Sequence, residues 1–240
     1  MNELLTQVID TYGGLDRWNG FSRLTARVKG GGALWVVKGQ EGVLDDYTTR
    51  IDLHRQYASH AFGGRGLRSV YTPDRVAVET EAGAVVEERT DPRSAFAGHD
   101  FTMPWDRLHL AYFTGYAMWT YLTEPFSLAA PGSVTEELEP WREEDETWRR
   151  LKVVLPAGVV GHGRENVYYI DEGGLIRRHD YVAEVLGKGA GLAAHLISGH
   201  REFDGIVVPT ERRVWRVGQD GRPDKSLLSV SIDVSEVSFA

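Results

Sequence analysis

Most of this chain is written in short runs that alternate apolar with polar side chains and are separated by turn-forming residues. Such runs occupy 24–29, 34–37, 47–60, 68–72, 75–79 and 85–90, and resume at 134–141, 147–155, 166–170, 175–185, 192–200, 206–217 and 227–239. A two-residue period is the mark of a strand with one buried face. The breaks at 29–32 (KGGG), Pro73-Asp74, Ala82-Gly83, Glu172-Gly173-Gly174, Asp204-Gly205 and Asp220-Gly221 suit hairpin turns and are too short for crossover helices. The expected sheet is therefore antiparallel, with roughly a dozen strands.

Two segments break the pattern. Leu4, Leu5, Val8, Ile9 and Tyr12 form a helical stripe stopped by Gly13-Gly14, so residues 1–21 read as N-terminal helices. After a loop at 91–104, the segment 105–121 switches to helical period: Trp105, Leu108, His109, Tyr112, Tyr116 and Trp119 recur every three or four positions. No internal repeat or linker divides the 240 residues, which are expected to form one domain, mainly β with few helices (α+β).

Charge narrows the partners. The net charge of −8, from 35 acidic and 27 basic residues, is wrong for neutralising a phosphate backbone, so nucleic acid is not expected. The absence of cysteine removes disulfides, thiolate metal sites and cysteine nucleophiles, and fits a reducing compartment. Residues 1–14 carry Glu3 and Asp10 and lack the basic, then apolar, order of a secretory signal; the expected location is cytoplasmic. The stretch 108–122 is interrupted by His109, Thr114, Gly115 and Thr120 and is too short to span a bilayer, so no membrane insertion is expected.

Candidate chemistry lies in three places. On the 105–121 helix, Trp105, His109, Tyr112, Tyr116 and Trp119 combine apolar bodies with polar tips, which suits a grip on an apolar ligand. Plain packing against the sheet explains the same stripe. In 175–185, alternation sets Leu175, Arg177, His179 and Tyr181 on one face, opposite Ile176, Arg178, Asp180 and Val182. There His179 is a candidate base, Tyr181 a proton donor and Arg177 an anion clamp. Because both faces carry charge, a solvated polar strand is the plainer reading. His99, in the loop before the helix, is a second candidate base, while Asp100 and Asp106 beside it suit the helix start.

Other features return little. The acidic run 136–146 reads as a hairpin tip, the glycine-rich 63–66 as another with Arg65 within reach of a pocket mouth, and Arg212, Arg213 and Arg216 as a solvated face. His195 and His200 point to opposite faces of a regular strand. His54 and His60 would stand about 20 Å apart. No metal is expected, and no nucleotide or hydrolase motif suggests a cofactor.

The order 166–171 (NVYYID), 175–180 (LIRRHD) and 202–213 (EFDGIVVPTERR), with the opening helix and 12–18 (YGGLDRW), resembles the LolA/LolB superfamily of bacterial lipoprotein carriers. That resemblance implies a curved antiparallel sheet forming an incomplete β-barrel covered by helices, with the 105–121 helix over the concave face and an apolar cavity between them. It also covers a cofactor-independent enzyme of violacein biosynthesis, so fold alone does not choose between binding and catalysis. The expected function is binding of a hydrophobic or aromatic small molecule; the alternative is a cofactor-independent isomerase, cyclase or hydrolase using His and Tyr acid–base chemistry in the same cavity.

Overall fold

The computed structural model describes residues 2–62 and 66–240; the expectation for Gly63, Gly64 and Arg65 lies outside the described residues. Two short helices, α1 (Glu3–Thr11) and α2 (Leu15–Asn19), open the chain, followed by β1 (Arg23–Gly31) and α3 (Ala33–Val37). A meander then runs through β2 (Tyr47–Asp52), β3 (Ala58–Phe62), β4 (Leu67–Thr72), β5 (Arg75–Thr80) and β6 (Val85–Thr90) to the long helix α4 (Arg107–Thr123). The second half holds β7 (Val134–Glu143), β8 (Glu146–Val154), β9 (Glu165–Ile170), β10 (Ile176–Val182), β11 (Leu192–Phe203), β12 (Ile206–Val217), β13 (Pro223–Asp224) and β14 (Val230–Phe239).

All fourteen strands join one antiparallel sheet ordered β6-β5-β4-β3-β2-β1-β14-β12-β11-β10-β9-β8-β7, with the two-residue β13 on β12. The sheet is not closed: among the described residues β6 and β7 are its free edges. The expected mainly β, α+β architecture, an open curved antiparallel sheet with helices over it, is what the chain forms. The two meanders meet through the last strand, since β14 pairs with β1 on one side and β12 on the other.

Two assignments change. The run 47–60 is two strands, because 53–57 forms the turn between β2 and β3. The run 34–37 is helix α3 instead of a strand. Four apolar residues carry too little periodicity to tell the two apart. Gly32, at φ +110°, redirects the chain, and Trp35 Nε1 donates to Gly31 O at 3.0 Å.

Helix α4 starts two residues later than its aromatic pattern suggests because Asp106 caps it. The Asp106 side chain accepts from His109 N at 2.8 Å, and His109 Nδ1 accepts from Asp106 N at 3.4 Å. Its other end runs into Pro125, which cannot continue a helix. Every residue from Leu108 to Thr123 is buried, as befits a helix enclosed on all sides. Gly115 sets its depth: a Cβ there would stand 2.4 Å from Cβ of Tyr71 on β4. Only glycine allows this approach.

Candidate functional site

Between α4 and the sheet lie two small apolar cavities. One, about 60 Å³, is bordered by Leu34 of α3, Phe101, Leu186, Leu192 and Trp215, and reaches inward to Phe113 and Tyr181. The other, about 30 Å³, is lined by Trp35, Leu44, Tyr47, Thr114, Ala117, Met118 and Tyr121, with Phe113 and Tyr181 again at its wall. Phe113, Tyr181 and Val230 are common to both, so these side chains partition what would otherwise be one chamber.

Tyr181 links this apolar space to a buried polar cluster. Its hydroxyl lies 2.8 Å from Tyr121 Oη, which lies 2.6 Å from His162 Nε2. The other nitrogen of His162 meets Tyr116 Oη at 3.3 Å, and its ring stacks on Tyr181 at 4.1 Å. Register extends the cluster across the sheet: His179 on β10 stands opposite Tyr168 on β9 and His195 on β11. Tyr168 Oη donates to Glu124 Oε1 at 2.6 Å. Asn166 spends its amide N–H groups on the carbonyls of Gly163 and Arg164, so its Oδ1 accepts from His179 Nε2 at 2.9 Å. That leaves His179 Nδ1 as the lone-pair nitrogen, 3.6 Å from Glu124 Oε1 and without a hydrogen-bond partner among the described residues.

Burial sets the protonation states here. It pushes the Glu124 carboxyl up to about 7, against the opposing pull of Arg212 and the Tyr168 hydrogen bond. It pushes His162 down to about 3, and the charge of Arg93 adds to that. His179 and His195 are held neutral by the same desolvation, reinforced by Arg212 and by neighbouring imidazoles. Arg212 on β12 is 1% exposed and donates through Nη2 to Tyr121 O, while its Nε and Nη1, Glu124 Oε2 and both nitrogens of His195 have no hydrogen-bond partner among the described residues.

The structure brings together only part of the expected site. His179 and Tyr181 are buried in the cluster, so the solvated reading of their strand is wrong. Arg177 is not with them: it lies by Asp171 at 3.8 Å, and an irregularity between Ile176 and Arg178 breaks the alternation that grouped it with His179. His99 packs on Phe96 and on His109, whose ring centroid is 4.9 Å away, at the start of α4. The length of α4, roughly 25 Å at about 1.5 Å per residue, separates that end from Glu124, so His99 and His179 serve different places.

The helix grip is displaced by about one residue. Trp105, His109, Tyr112, Tyr116 and Trp119 line neither cavity; Phe113, Thr114, Ala117, Met118 and Tyr121 do. Trp119 Nε1 instead donates to Asp52 O at 2.8 Å, and Tyr112 packs edge-on against Tyr71. The hollow beneath the helix is thus largely filled by side chains. A helix buried all round shows no periodic signal for which face meets a cavity. Arg212, expected on a solvated face with Arg216, is instead among the largest fully buried side chains.

No family model matches this chain, and no curated protein matches it. Solved structures do. A DUF1329 family protein from Desulfovibrio piger superposes with a TM-score of 0.57 at 13% identity, covering 98% of this chain and 91% of that one. A LolA superfamily protein from Nitrosomonas europaea gives 0.54 at 8%, covering 98% and 92%. A domain assigned to outer membrane lipoprotein sorting, from Vibrio parahaemolyticus, gives 0.54 at 11%, covering 99% and 91%. At these identities the likeness is one of fold, and the fold of this chain is LolA/LolB-like.

Proposed function

We propose that this protein binds a hydrophobic or aromatic small molecule between the curved sheet and α4, using no cofactor. The carrying observation is the pair of apolar cavities divided by Phe113 and Tyr181 behind a mouth of apolar side chains. The two spaces are about 60 and 30 Å³ against the roughly 300–1,000 Å³ typical of small-molecule pockets, so a ligand must take the volume now filled by Phe113 and Tyr181 as well as the two spaces they divide. A fold whose relatives include a lipoprotein-sorting domain supports the reading. The test is titration with a fluorescent apolar probe such as N-phenylnaphthylamine. Phe113→Ala, which removes the partition, is expected to tighten binding by about tenfold, equivalent to roughly 1.4 kcal/mol of added apolar burial; Phe113→Trp, which fills the space, is expected to weaken binding by a similar factor. A probe that binds neither protein nor variants removes this reading.

A cofactor-independent proton-transfer enzyme is the second reading. The favouring observation is the Glu124–His179 couple, in which a carboxyl with its pKa pushed up to about 7 faces an imidazole lone pair. The couple acts only once a ligand opens a path past Tyr181. With any substrate identified by turnover, Glu124→Gln is expected to lower kcat by about 10²-fold or more; undiminished kcat rules the couple out.

A further inference from the structure

We infer that the molecule bound beneath α4 is a carboxylic acid, an apolar body whose carboxylate head pairs with the guanidinium of Arg212; this rests on the binding reading above and names its ligand class. Arg212 is fully buried, and Nη2 gives one N–H to Tyr121 O. Its Nε and Nη1 have no hydrogen-bond partner among the described residues. Whichever N–H of Nη2 is spent on Tyr121, the second completes a fork with either Nε or Nη1. Such a fork receives both oxygens of a carboxylate.

The nearby carboxyl of the protein does not fill that fork. Glu124 Oε1 takes the Tyr168 hydroxyl, Oε2 has no partner among the described residues, and burial holds the proton on this carboxyl up to about pH 7. A buried guanidinium keeps its charge, and leaving that charge uncompensated is costly. His195 adds a donor: its ring lies 4.6 Å from that of Tyr121, both of its nitrogens are unpartnered among the described residues, and a neutral imidazole carries one N–H in either tautomer. One positive charge calls for one negative charge. A phosphate monoester brings about −1.5 to −2, so a carboxylate is the better match.

Strand register sets this fork next to the apolar space. Arg212 and Val214 alternate onto one face of β12, opposite Ile232 and Val230 of β14. Val214 lines the larger cavity, Ile232 the smaller, and Val230 both. Tyr121 is the point of contact: its side chain lines the smaller cavity, and the Arg212 guanidinium lies 4.9 Å from its ring centroid. Tyr121 Oη is in turn bonded to Tyr181, one of the two side chains that a ligand must displace. Displacing Tyr181 frees Tyr121, and a shift of Tyr121 brings the ligand head onto the fork while the apolar body keeps to the cavities.

Displacement of N-phenylnaphthylamine by decanoate, decanol and decyl phosphate tests the inference, at about pH 6, where decanoate is ionised and Glu124 is not. Decanoate is expected to displace the probe at a concentration about tenfold lower than decanol, and lower than decyl phosphate. Arg212→Met is expected to abolish the preference for decanoate over decanol, and Arg212→Lys, which keeps the charge without the fork, to retain part of it. Arg213→Met, on the opposite face of β12 and paired with Asp233, leaves it unchanged. Circular dichroism melts confirm that each variant is folded, and Arg212→Gln takes the place of Arg212→Met should the latter not fold. Equal displacement by decanoate and decanol, a preference that survives in the folded Arg212 variant, or tighter binding of decyl phosphate each overturns the inference. N-phenylnaphthylamine alone separates the two failures: a probe that binds while the acid shows no preference leaves the cavity reading standing, and a probe that does not bind removes the cavity reading itself.

Discussion

Arg178 and Arg212 are both fully buried, yet the two sites are finished to different degrees. Arg178 donates Nε and Nη2 to Asp180 at 2.6 and 2.8 Å and Nη2 to Gly221 O at 2.8 Å, with Trp141 and Tyr169 within cation–π reach. Tyr169 Oη completes the carboxylate at 2.9 Å. Arg212, beside α4, has one backbone acceptor and the Tyr121 ring, while the nearby Glu124 carboxyl bonds to Tyr168 instead. A buried ion pair with most of its hydrogen bonds made is a structural closure; among the described residues Arg178 leaves only Nη1 without a partner, where Arg212 leaves Nε and Nη1. Buried groups left short of partners mark a place where structure has been held back for another purpose. The contrast is in keeping with the proposed binding site beneath α4, while the Arg178 cluster ties β10 to Tyr169 of β9 and Trp141 of β7.

The largest expected effect comes from acid. His162, His179 and His195 are neutral in the fold, with pKa values far below the ordinary value of 6.5 that the unfolded chain restores. As pH falls from about 6.5 toward 4 the unfolded state takes up protons that the folded state refuses, so stability drops. Glu124 acts in the opposite direction, keeping to about pH 7 a proton the unfolded chain releases near 4.5, but it is one group against these three, and His60 and His200, each pushed down to about 4 by burial, add to the loss. A net loss on the order of 5 kcal/mol by about pH 4 is expected in denaturant titrations. A flat profile across that window would mean the cluster is hydrated and the contrast is false. Next in size, Arg178→Met strands Asp180 and is expected to cost about 3–5 kcal/mol, lowering Tm by about 10 °C. Arg212→Met removes a poorly partnered charge along with one bond to Tyr121 O and is expected to cost about 1–2 kcal/mol. Equal losses for the two variants would erase the distinction between the sites.

How much of this was legible in the sequence follows from the range of each interaction. The strands and hairpins were, because alternation and turn residues are local. So was the start of α4, where Asp106 stands beside the helical pattern. The inward placement of His179 and Tyr181 was half legible: their shared face is set by parity, but which face is concave depends on sheet curvature. The partners of His179 were not. Asn166, Tyr168, Glu124 and His195 meet it only through the register of β9, β10 and β11 and the end of α4. The irregularity after Ile176 that takes Arg177 away leaves no local signature. On α4, the aromatic stripe named the right helix and the wrong line of residues, since a helix with no solvent face has no polar side to orient it.

The position of β14 has a consequence for biosynthesis. The first meander is complete by Thr90, but the partner that covers the other side of β1 is not made until Val230–Phe239 emerge. At roughly 5–20 residues per second, about 10–40 seconds of synthesis separate β1 from β14, and a β1 that forms early keeps one row of amides and carbonyls unpaired until then. Until β14 pairs with β1 on one side and β12 on the other, the inner edges of both halves are open to mispairing.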